Sequence, residues 1–453
     1  MQNLPDNVIT YLNKNALKDY NIEWQSKRGI SNVIVIPAIA EYDNIKVLIA
    51  LLSQIDFTYF ISSLFLFVIN NSLSSNTKVM TDNQKSLNLL RSIIYSNSHG
   101  GFAAEIIQSG LQVGLIDASS NGKEFNTKHS GVGLARKIGM DLALTVFDYS
   151  TKINKLIICL DADCKVPADY LTGVITDFNK NNYSAAIINY EHNIDGNDIN
   201  SAAIICYEIY LRYYVAGLKY AGSPYAFDTI GSTIICDHNA YIKTGGMNKR
   251  KAAEDFYFLE KLSKIFEIGK INSTTVYPSN RSSWRVPFGT GQRVTRFIAN
   301  IRNEYLLLNP SVFEILKDWL MIYNSDEFND PQILLNRSND IHAELYNFLL
   351  QNNYTTQWKK ILSNTKSDKQ LQYQKKIWFD GFKTLKLIHH LRDSAYSEIN
   401  MFNALDLFFV KFGINILINR NGKEIPELDI QKEYLELLRK FDSDSIHNSQ
   451  QKE

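Results

Sequence analysis

LIICLDADCKVP, residues 156–167, runs from five apolar residues into two acids one residue apart, Asp161 and Asp163. A short apolar run of this kind is typical of a buried strand. Two carboxylates this close together repel each other unless a cation neutralises them or one of them binds a proton. Mg²⁺ and Mn²⁺ prefer oxygen ligands and share them with phosphate groups. The stretch therefore predicts a strand that ends at a divalent metal site, although a solvated turn would also explain an isolated D-x-D triplet.

Short apolar runs alternate with helical patterns between residues 30 and 280. The predicted strands are 32–40, 63–71, 111–118, 155–163 and 183–191, and the predicted helices between them are 43–54, 82–96 and 132–148. Such alternation is typical of an α/β fold with a mostly parallel sheet that is covered by helices. Ligands of open parallel sheets bind at the carboxyl ends of the strands. The polar residues that follow these strands are therefore expected to converge on one crevice.

Composition narrows the class of protein. The chain has 453 residues, with 48 basic and 47 acidic side chains and a net charge of +1. This balance gives no general attraction for nucleic acid or for an anionic membrane, so any anion site must be local. The first residues do not have the pattern of a signal peptide, and the apolar runs are too short or too charged for membrane helices. We expect a cytoplasmic protein without a transmembrane segment.

The chain is long enough for two or three domains. We predict an N-terminal helical extension at 1–29, a catalytic α/β domain at 30–297, a helical region at 298–440 and a disordered tail at 441–453. The helical region carries apolar residues at helical spacing and almost no glycine. It could bind an acceptor, form a homodimer or rest peripherally on a membrane surface, and its mixed charges favour none of these.

A second polar motif lies in residues 231–271, where a glycine turn and a basic cluster precede Glu254 and Asp255 at the start of a helix. A carboxylate beside a metal-bound phosphate can act as the general base for an attacking hydroxyl. Acids are also favoured in a first helical turn because the helix dipole stabilises them. The motif alone leaves both interpretations open.

A third motif is the helix start at residues 128–144, where Gly131 and Gly133 precede Arg136. Backbone N–H groups and a guanidinium at such a position can bind a diphosphate. An ordinary helix-start loop is the alternative.

A fourth motif is SNRSSWRVPFGTGQRV, residues 279–294, which contains Arg281, Arg285 and Arg293. A basic loop of this composition is typical of a lid that closes over an anionic ligand. The alternative is a loop whose arginines pack it against its own domain.

The ordered set of motifs resembles the family 2 glycosyltransferases and their GT-A fold relatives over about residues 30–295. The motifs are VIVIPAIAEYDNI (33–45), LFVINNS (66–72), GVGLARKIGMDLAL (131–144), LIICLDADCKVPADYL (156–171) and GGMNKRKAAEDFYFLEKL (245–262). The resemblance implies the GT-A fold, a mostly parallel sheet flanked by helices, here with an appended C-terminal helical region. It also implies metal-dependent transfer of a sugar from a nucleotide-diphosphate donor to an acceptor hydroxyl.

The resemblance also implies roles for particular residues. Asp161 and Asp163 would hold Mn²⁺ or Mg²⁺ on the diphosphate of a UDP- or GDP-sugar, and Asp255 would be the base, with Glu254 beside it. The residues implied for nucleotide-sugar binding are Pro37, Ala38, Glu41, Asn71, Arg136, Asp161 and Gly246. The lid arginines would contact the phosphates.

Several alternatives stay open. The processive signature Q-x-x-R-W is absent, because GQRVTRF contains no tryptophan. A single transfer is therefore favoured, and direct displacement with Asp255 as base would invert the anomeric centre. A retaining GT-A enzyme would use the same acids. The rivals are a nucleotidyltransferase, disfavoured because PAIAEYD replaces the expected glycine-rich loop, and a catalytically silent scaffold that binds sugar nucleotides.

Overall fold

The computed structural model describes residues 4–25, 29–97, 100–128, 130–194, 196–281, 289–325, 330–411, 413 and 418–444. The chain forms two compact units: Met1–Asn193 with Thr229–Gln292, and Ile194–Asp228 with Arg293–Glu453. Residues 194–228, which the sequence analysis placed in the catalytic domain, therefore belong to the second unit. The N-terminal extension belongs to the first.

The first unit contains the large sheet. Its strands are β1 (Asn32–Ala38), β2 (Ser63–Asn70), β3 (Val113–Ala118), β4 (Leu156–Cys159), β5 (Ala185–Tyr190), β6 (Ile234–Asp237) and β7 (Ile268–Val276). Its helices are α1 (Asp6–Asn15), α2 (Tyr42–Leu52), α3 (Thr77–Ile94), α4 (Gly101–Ser109), α5 (Val132–Ala143), α6 (Tyr170–Lys180), α8 (His238–Lys243) and α9 (Glu254–Ser263). Short 3-10 turns precede β2 and β6.

The sheet has the strand order β3-β2-β1-β4-β6-β5-β7. All its neighbouring pairs are parallel except the two that β6 makes with β4 and β5. Every residue of β1, β2 and β4 is buried, as expected for central strands whose faces are covered by helices. The predicted mostly parallel α/β sheet is therefore confirmed, with β6 as its antiparallel member.

The chain reverses its direction of travel across the sheet between β1 and β4. After β1 it adds β2 and β3 on one side, and it then returns to place β4 on the other side. The β1–β4 ladder ends at Val35 and Cys159, so Pro37, which has no N–H to donate, lies beyond the end of β4. Such a switch point leaves a crevice at the carboxyl ends of the two strands. The loops that begin after Ala38 and Cys159 border this crevice.

Where the structure describes it, the second unit is helical except for one two-stranded ribbon. Its elements are α7 (Ile199–Tyr220), α11 (Ser311–Asn324), α12 (Pro331–Ile341), α13 (Ala343–Gln351), α14 (Tyr354–Asn364), α15 (Asp368–Trp378), α16 (Gly381–Ser394), α17 (Met401–Lys411), α18 (Leu428–Asp444), and strands β8 (Leu306–Leu307) and β9 (Ile399–Asn400). Helix α10 (Thr290–Ile298) spans the boundary between the units. The predicted appended helical region is confirmed.

Aromatic side chains and one buried ion-pair network hold the second unit together. Trp319 stacks on Tyr323 at 5.0 Å between ring centroids, within a core of buried leucines and aromatics. Arg212 of α7 bonds to Glu208 at 2.8 Å and to Asp442 of α18 at 3.0 Å. The predicted tail at 441–453 thus begins inside α18, and its residues 445–453 lie outside the described residues. None of the described helices combines the length and apolar character needed to cross a membrane.

Candidate active site

The two acids of the D-x-D triplet follow β4 at the switch point. A tight turn begins there, in which the Cys164 N–H donates to the Asp161 carbonyl at 3.1 Å. The Asp161 side chain is 34% exposed and the Asp163 side chain 26% exposed. Both carboxylates therefore retain access from the crevice, although each is already bound to a guanidinium.

Arg136 of α5 neutralises the first acid. Its Nη2 donates to Asp161 Oδ1 at 2.5 Å, and its Nη1 donates to Glu254 Oε1 at the start of α9. The Arg136 side chain is only 3% exposed, and that of Glu254 is 4% exposed. A charge-assisted network of this kind, shielded from water, ties α5, α9 and the end of β4 into one rigid element.

Two glycines leave room for this network because they have no side chain. A Cβ at Gly231 would overlap the Arg136 guanidinium, and a Cβ at Gly133 would lie 2.9 Å from the Glu254 Cβ. Gly131 likewise packs against the backbone of Lys251. The glycines that the sequence analysis assigned to a phosphate loop are therefore required for the close approach of α5 to the segment before α9.

Arg281 neutralises the second acid. Its Nη2 and Nε donate to Asp163 Oδ2 at 2.9 and 3.1 Å, and its Nη2 also donates to Glu41 Oε1. Glu41 is the residue before α2, and its other oxygen accepts from Asn44 Nδ2 at 2.5 Å. Arg281 thus joins the loops after β1 and β4. Unlike Arg136, it is 35% exposed.

The paired acids at the start of α9 have different surroundings. Glu254 is buried and bonded to Arg136. Asp255 is half-buried, and its Oδ1 accepts the Phe256 N–H at 2.8 Å. Within the described residues, no basic side chain forms an ion pair with Asp255. Of the two acids, Asp255 is therefore the one whose carboxylate is not held by an arginine.

Burial and crowding set the proton affinities of these acids. Burial raises the pKa of Asp255, and the charge of Arg136 opposes this shift. Burial also raises the pKa of Asp163, as does the charge of Asp161, while Arg281 opposes both. For Arg136, burial lowers the pKa, but Asp161 and Glu254 outweigh it and the net shift is upward. The cluster brings five carboxyl groups, those of Glu41, Asp161, Asp163, Glu254 and Asp255, together with two arginines, and repulsion among carboxylates favours binding of a further cation.

Of the remaining predicted nucleotide-binding residues, Pro37, Ala38 and Asn71 lie at the carboxyl ends of β1 and β2, and Gly246 does not. Pro37 and Ala38 are buried at the end of β1, and the Ala38 carbonyl accepts from Asn70 Nδ2 at 3.0 Å. Asn71 is buried, with Nδ2 donating to the Ser72 carbonyl at 3.2 Å. Gly246 packs against Tyr11 of α1. The polar atoms of Asn71 are thus used within the protein.

The three predicted lid arginines are in different situations. Arg281 is part of the acid cluster. Arg285 lies outside the described residues. Arg293 belongs to the second unit, where it forms an ion pair with Glu304 and stacks on the Tyr210 ring at 4.1 Å.

Sequence reasoning missed two residues that contact the residues and loops of the site. One is Gly231, whose role depends on a long-range contact that no local pattern indicates. The other is Asn83 of α3, which is buried and hydrogen-bonded to the loops after β1 and β2. A signal for Asn83 does exist, because it stands among Val79, Leu87 and Leu90 on the apolar stripe of its helix.

The donor set fits a divalent ion that is shared with a ligand. Among the described residues, no three metal-binding side chains form a group. Asp161 and Asp163 nevertheless present hard oxygen donors with partial access from the crevice. Mg²⁺ and Mn²⁺ are commonly held by one or two carboxylates together with phosphate oxygens and water. The site therefore suits a metal–diphosphate complex better than a metal held by the protein alone.

No protein-family model matches the chain, and no curated protein matches it. Among solved structures, it is similar to TarS 1–349 of S. aureus in complex with UDP-GlcNAc, at 12% identity and a TM-score of 0.37, over 70% of this chain and 83% of that one. It is also similar to the mannosyltransferase PcManGT from Pyrobaculum calidifontis in complex with GDP-Man and Mn²⁺, at 11% identity and a TM-score of 0.37, over 85% of this chain and 92% of that one. At these identities and TM-scores, neither similarity assigns a role to any residue of this chain.

Proposed function

We propose that this protein is a glycosyltransferase that moves one sugar from a nucleoside-diphosphate donor to an acceptor hydroxyl. The observation that carries the proposal is the convergence of acids at the switch point of the sheet. Asp161 and Asp163 follow β4, Glu41 follows β1, and Glu254 and Asp255 begin α9. The motifs that resemble family 2 glycosyltransferases supply all five of these acids.

The donor would bind with its diphosphate beside the D-x-D acids. Asp161 and Asp163 would hold a divalent ion, which would supply positive charge to the leaving diphosphate. The nucleoside would lie against the end of β1, near Pro37 and Ala38. Asp161 is kept in place by Arg136, whose buried guanidinium cannot turn toward solvent without leaving Glu254 uncompensated.

Arg281 would change partners when the donor binds. Both of its bonds to Asp163 end on Oδ2, so a cation at Asp163 competes with the guanidinium for the same negative charge. Arg281 is part-exposed and can leave at a smaller cost than a buried arginine. Once released, its planar fork of donors suits a phosphate group.

Asp255 would be the base of the transfer step. Its carboxylate accepts the proton of the acceptor hydroxyl while that oxygen forms a bond to the anomeric carbon. The bond between the anomeric carbon and the diphosphate oxygen breaks, and the nucleoside diphosphate leaves with the electron pair. The raised pKa of Asp255 increases its affinity for the transferred proton. Direct displacement of this kind inverts the anomeric centre.

Calorimetry with UDP- and GDP-sugars, with and without Mn²⁺, tests the proposal, followed by an assay of donor hydrolysis. We expect at least one donor to bind more tightly with Mn²⁺ and to be hydrolysed slowly. The variants Asp161→Asn and Asp163→Asn should lose the Mn²⁺ dependence, since each removes one anionic ligand. Donor binding without any hydrolysis of the donor would instead favour the silent scaffold. A protein that binds neither UDP-sugars nor GDP-sugars would contradict the proposal.

A further inference from the structure

Asn83 links two loops that border the proposed nucleoside site. It lies in α3, the helix that follows β2 in the chain. Its Oδ1 accepts the Ala40 N–H at 2.8 Å, in the loop after β1. Its Nδ2 donates to the Asn70 carbonyl and to Asn71 Oδ1, both at 3.0 Å, at the end of β2. The side chain is 2% exposed, and its two donated bonds are buried.

The loop after β1 needs such support because its backbone is strained. Ala40 has a φ of 51°, in the left-handed region that costs a non-glycine residue about 1–2 kcal/mol. Asn83 holds the N–H of Ala40, and Asp82 Oδ1 accepts the N–H of Tyr42 at 3.0 Å. Two consecutive residues of α3 therefore fix the backbone on both sides of Glu41.

We propose that Asn83, assisted by Asp82, is a positioning residue for nucleotide binding. It would not touch the nucleotide. It would hold the loop between Ala38 and Glu41 in the conformation that the nucleoside of the donor requires. Helix α3 would thereby support the donor site. The inference rests on the proposed function, because the proposed function places the nucleoside beside this loop.

The variant Asn83→Asp tests the inference with almost no change in shape. Its carboxylate can still accept the Ala40 N–H, but it loses both donors and places negative charge beside the Asn70 carbonyl and Asn71 Oδ1. Calorimetry with UDP and with GDP, each with Mn²⁺, should show about tenfold weaker binding of whichever nucleotide the wild type binds. The KM for the corresponding sugar donor should rise by a similar factor, while kcat at saturation stays within about twofold, as expected for lost ground-state binding.

Two further variants keep the test decisive. Asp82→Ala removes one bond from a part-exposed residue and should weaken nucleotide binding about threefold. Asn88→Ala, which removes an exposed bond to Gln84 on the same helix, should bind as the wild type does. If Asn83→Asp does not fold, the affinity of Asp82→Ala decides the question.

The outcomes separate the inference from the proposed function. A lower melting temperature with unchanged Kd and KM in the Asn83 and Asp82 variants would mean that α3 only stabilises the fold, and it would overturn the inference alone. A wild-type protein that binds neither UDP nor GDP would overturn the proposed function and the inference together.

Discussion

The two arginines that neutralise the D-x-D acids occupy contrasting surroundings. Arg136 lies on α5 with its side chain 3% exposed, and it bonds to Asp161. Arg281 lies after β7 with its side chain 35% exposed, and it bonds to Asp163. Each arginine also bonds to a glutamate that directly follows an alanine in the left-handed conformation: Glu254 after Ala253, and Glu41 after Ala40.

The difference in exposure between the two arginines indicates which of their contacts are permanent and which can be exchanged. A buried charge that loses its partner has no water to replace it, so the Arg136 contacts should persist in every state of the protein. A part-exposed guanidinium can be replaced by water or by another cation at a smaller cost. Arg136 is therefore expected to hold Asp161 permanently in place. Arg281 is expected to occupy Asp163 only until another cation replaces it.

Removing each arginine should have unequal effects on stability. Arg136→Gln leaves Glu254 buried without its counter-charge, and we expect the free energy of unfolding to fall by about 3–5 kcal/mol. Arg281→Gln should lower it by less, because the guanidinium and Asp163 are part-exposed, although Glu41 is buried. Urea unfolding of both variants beside the wild type measures the contrast. Equal losses in the two variants would mean that burial does not distinguish them.

Gly231→Ala should disturb the Arg136 cluster without removing any charge. The added Cβ would overlap the guanidinium, and such overpacking typically costs about 1–3 kcal/mol. Gly100→Ala is the matched control, because no heavy atom lies within 4 Å of a Cβ built there. Thermal or urea unfolding compares the two. A Gly231→Ala protein as stable as the control would show that the guanidinium can move aside.

Arg281→Gln should increase the affinity for Mn²⁺ in the absence of nucleotide. The change removes the cation that competes at Asp163, and we expect about tenfold tighter binding, equivalent to about 1.4 kcal/mol. Arg302→Gln is the control, since Arg302 pairs with Glu398 in the second unit. Calorimetric titration with MnCl₂ reads out the effect without any turnover. Unchanged or weaker Mn²⁺ binding would contradict the exchange of partners.

Ala253→Gly should have the smallest effect. Ala253 has a φ of 56°, which glycine adopts without a steric penalty, although glycine also loses more backbone entropy on folding. We expect the free energy of unfolding to change by less than about 1 kcal/mol, and to rise if the relief of strain outweighs the loss of backbone entropy. Urea unfolding measures it. A large destabilisation would mean that the Ala253 methyl group makes a contact that the conformation alone does not indicate.

Local patterns were sufficient to predict strands β1 to β5 and several acids of the candidate site, but not strand β7. Asp161 and Asp163 stand out because they end a continuous apolar run, and that run becomes the buried strand β4. Glu254 and Asp255 stand out because they begin a helix after a glycine turn. Each of these two signals spans only a few residues of sequence, so local spacing alone reveals it.

The partners of these acids could not be predicted in the same way. Arg136 meets Glu254 across 118 residues of sequence, and Arg281 meets Glu41 across 240. Such contacts depend on the strand order and on the space left by Gly231, which no local pattern encodes. Helix α7 lies between β5 and β6 in the chain but packs with α11 and α18, a long-range preference that chain order does not reveal.

We propose that the cluster at the switch point performs sugar transfer with Asp255 as its base. The most direct test is to compare donor binding and transfer in Asp255→Asn with the wild type, using the UDP- or GDP-sugar that the wild type binds with Mn²⁺. We predict that the variant binds the donor within about twofold of the wild-type affinity, while its turnover falls by about 10² to 10⁴-fold. Wild-type turnover in Asp255→Asn would contradict the account.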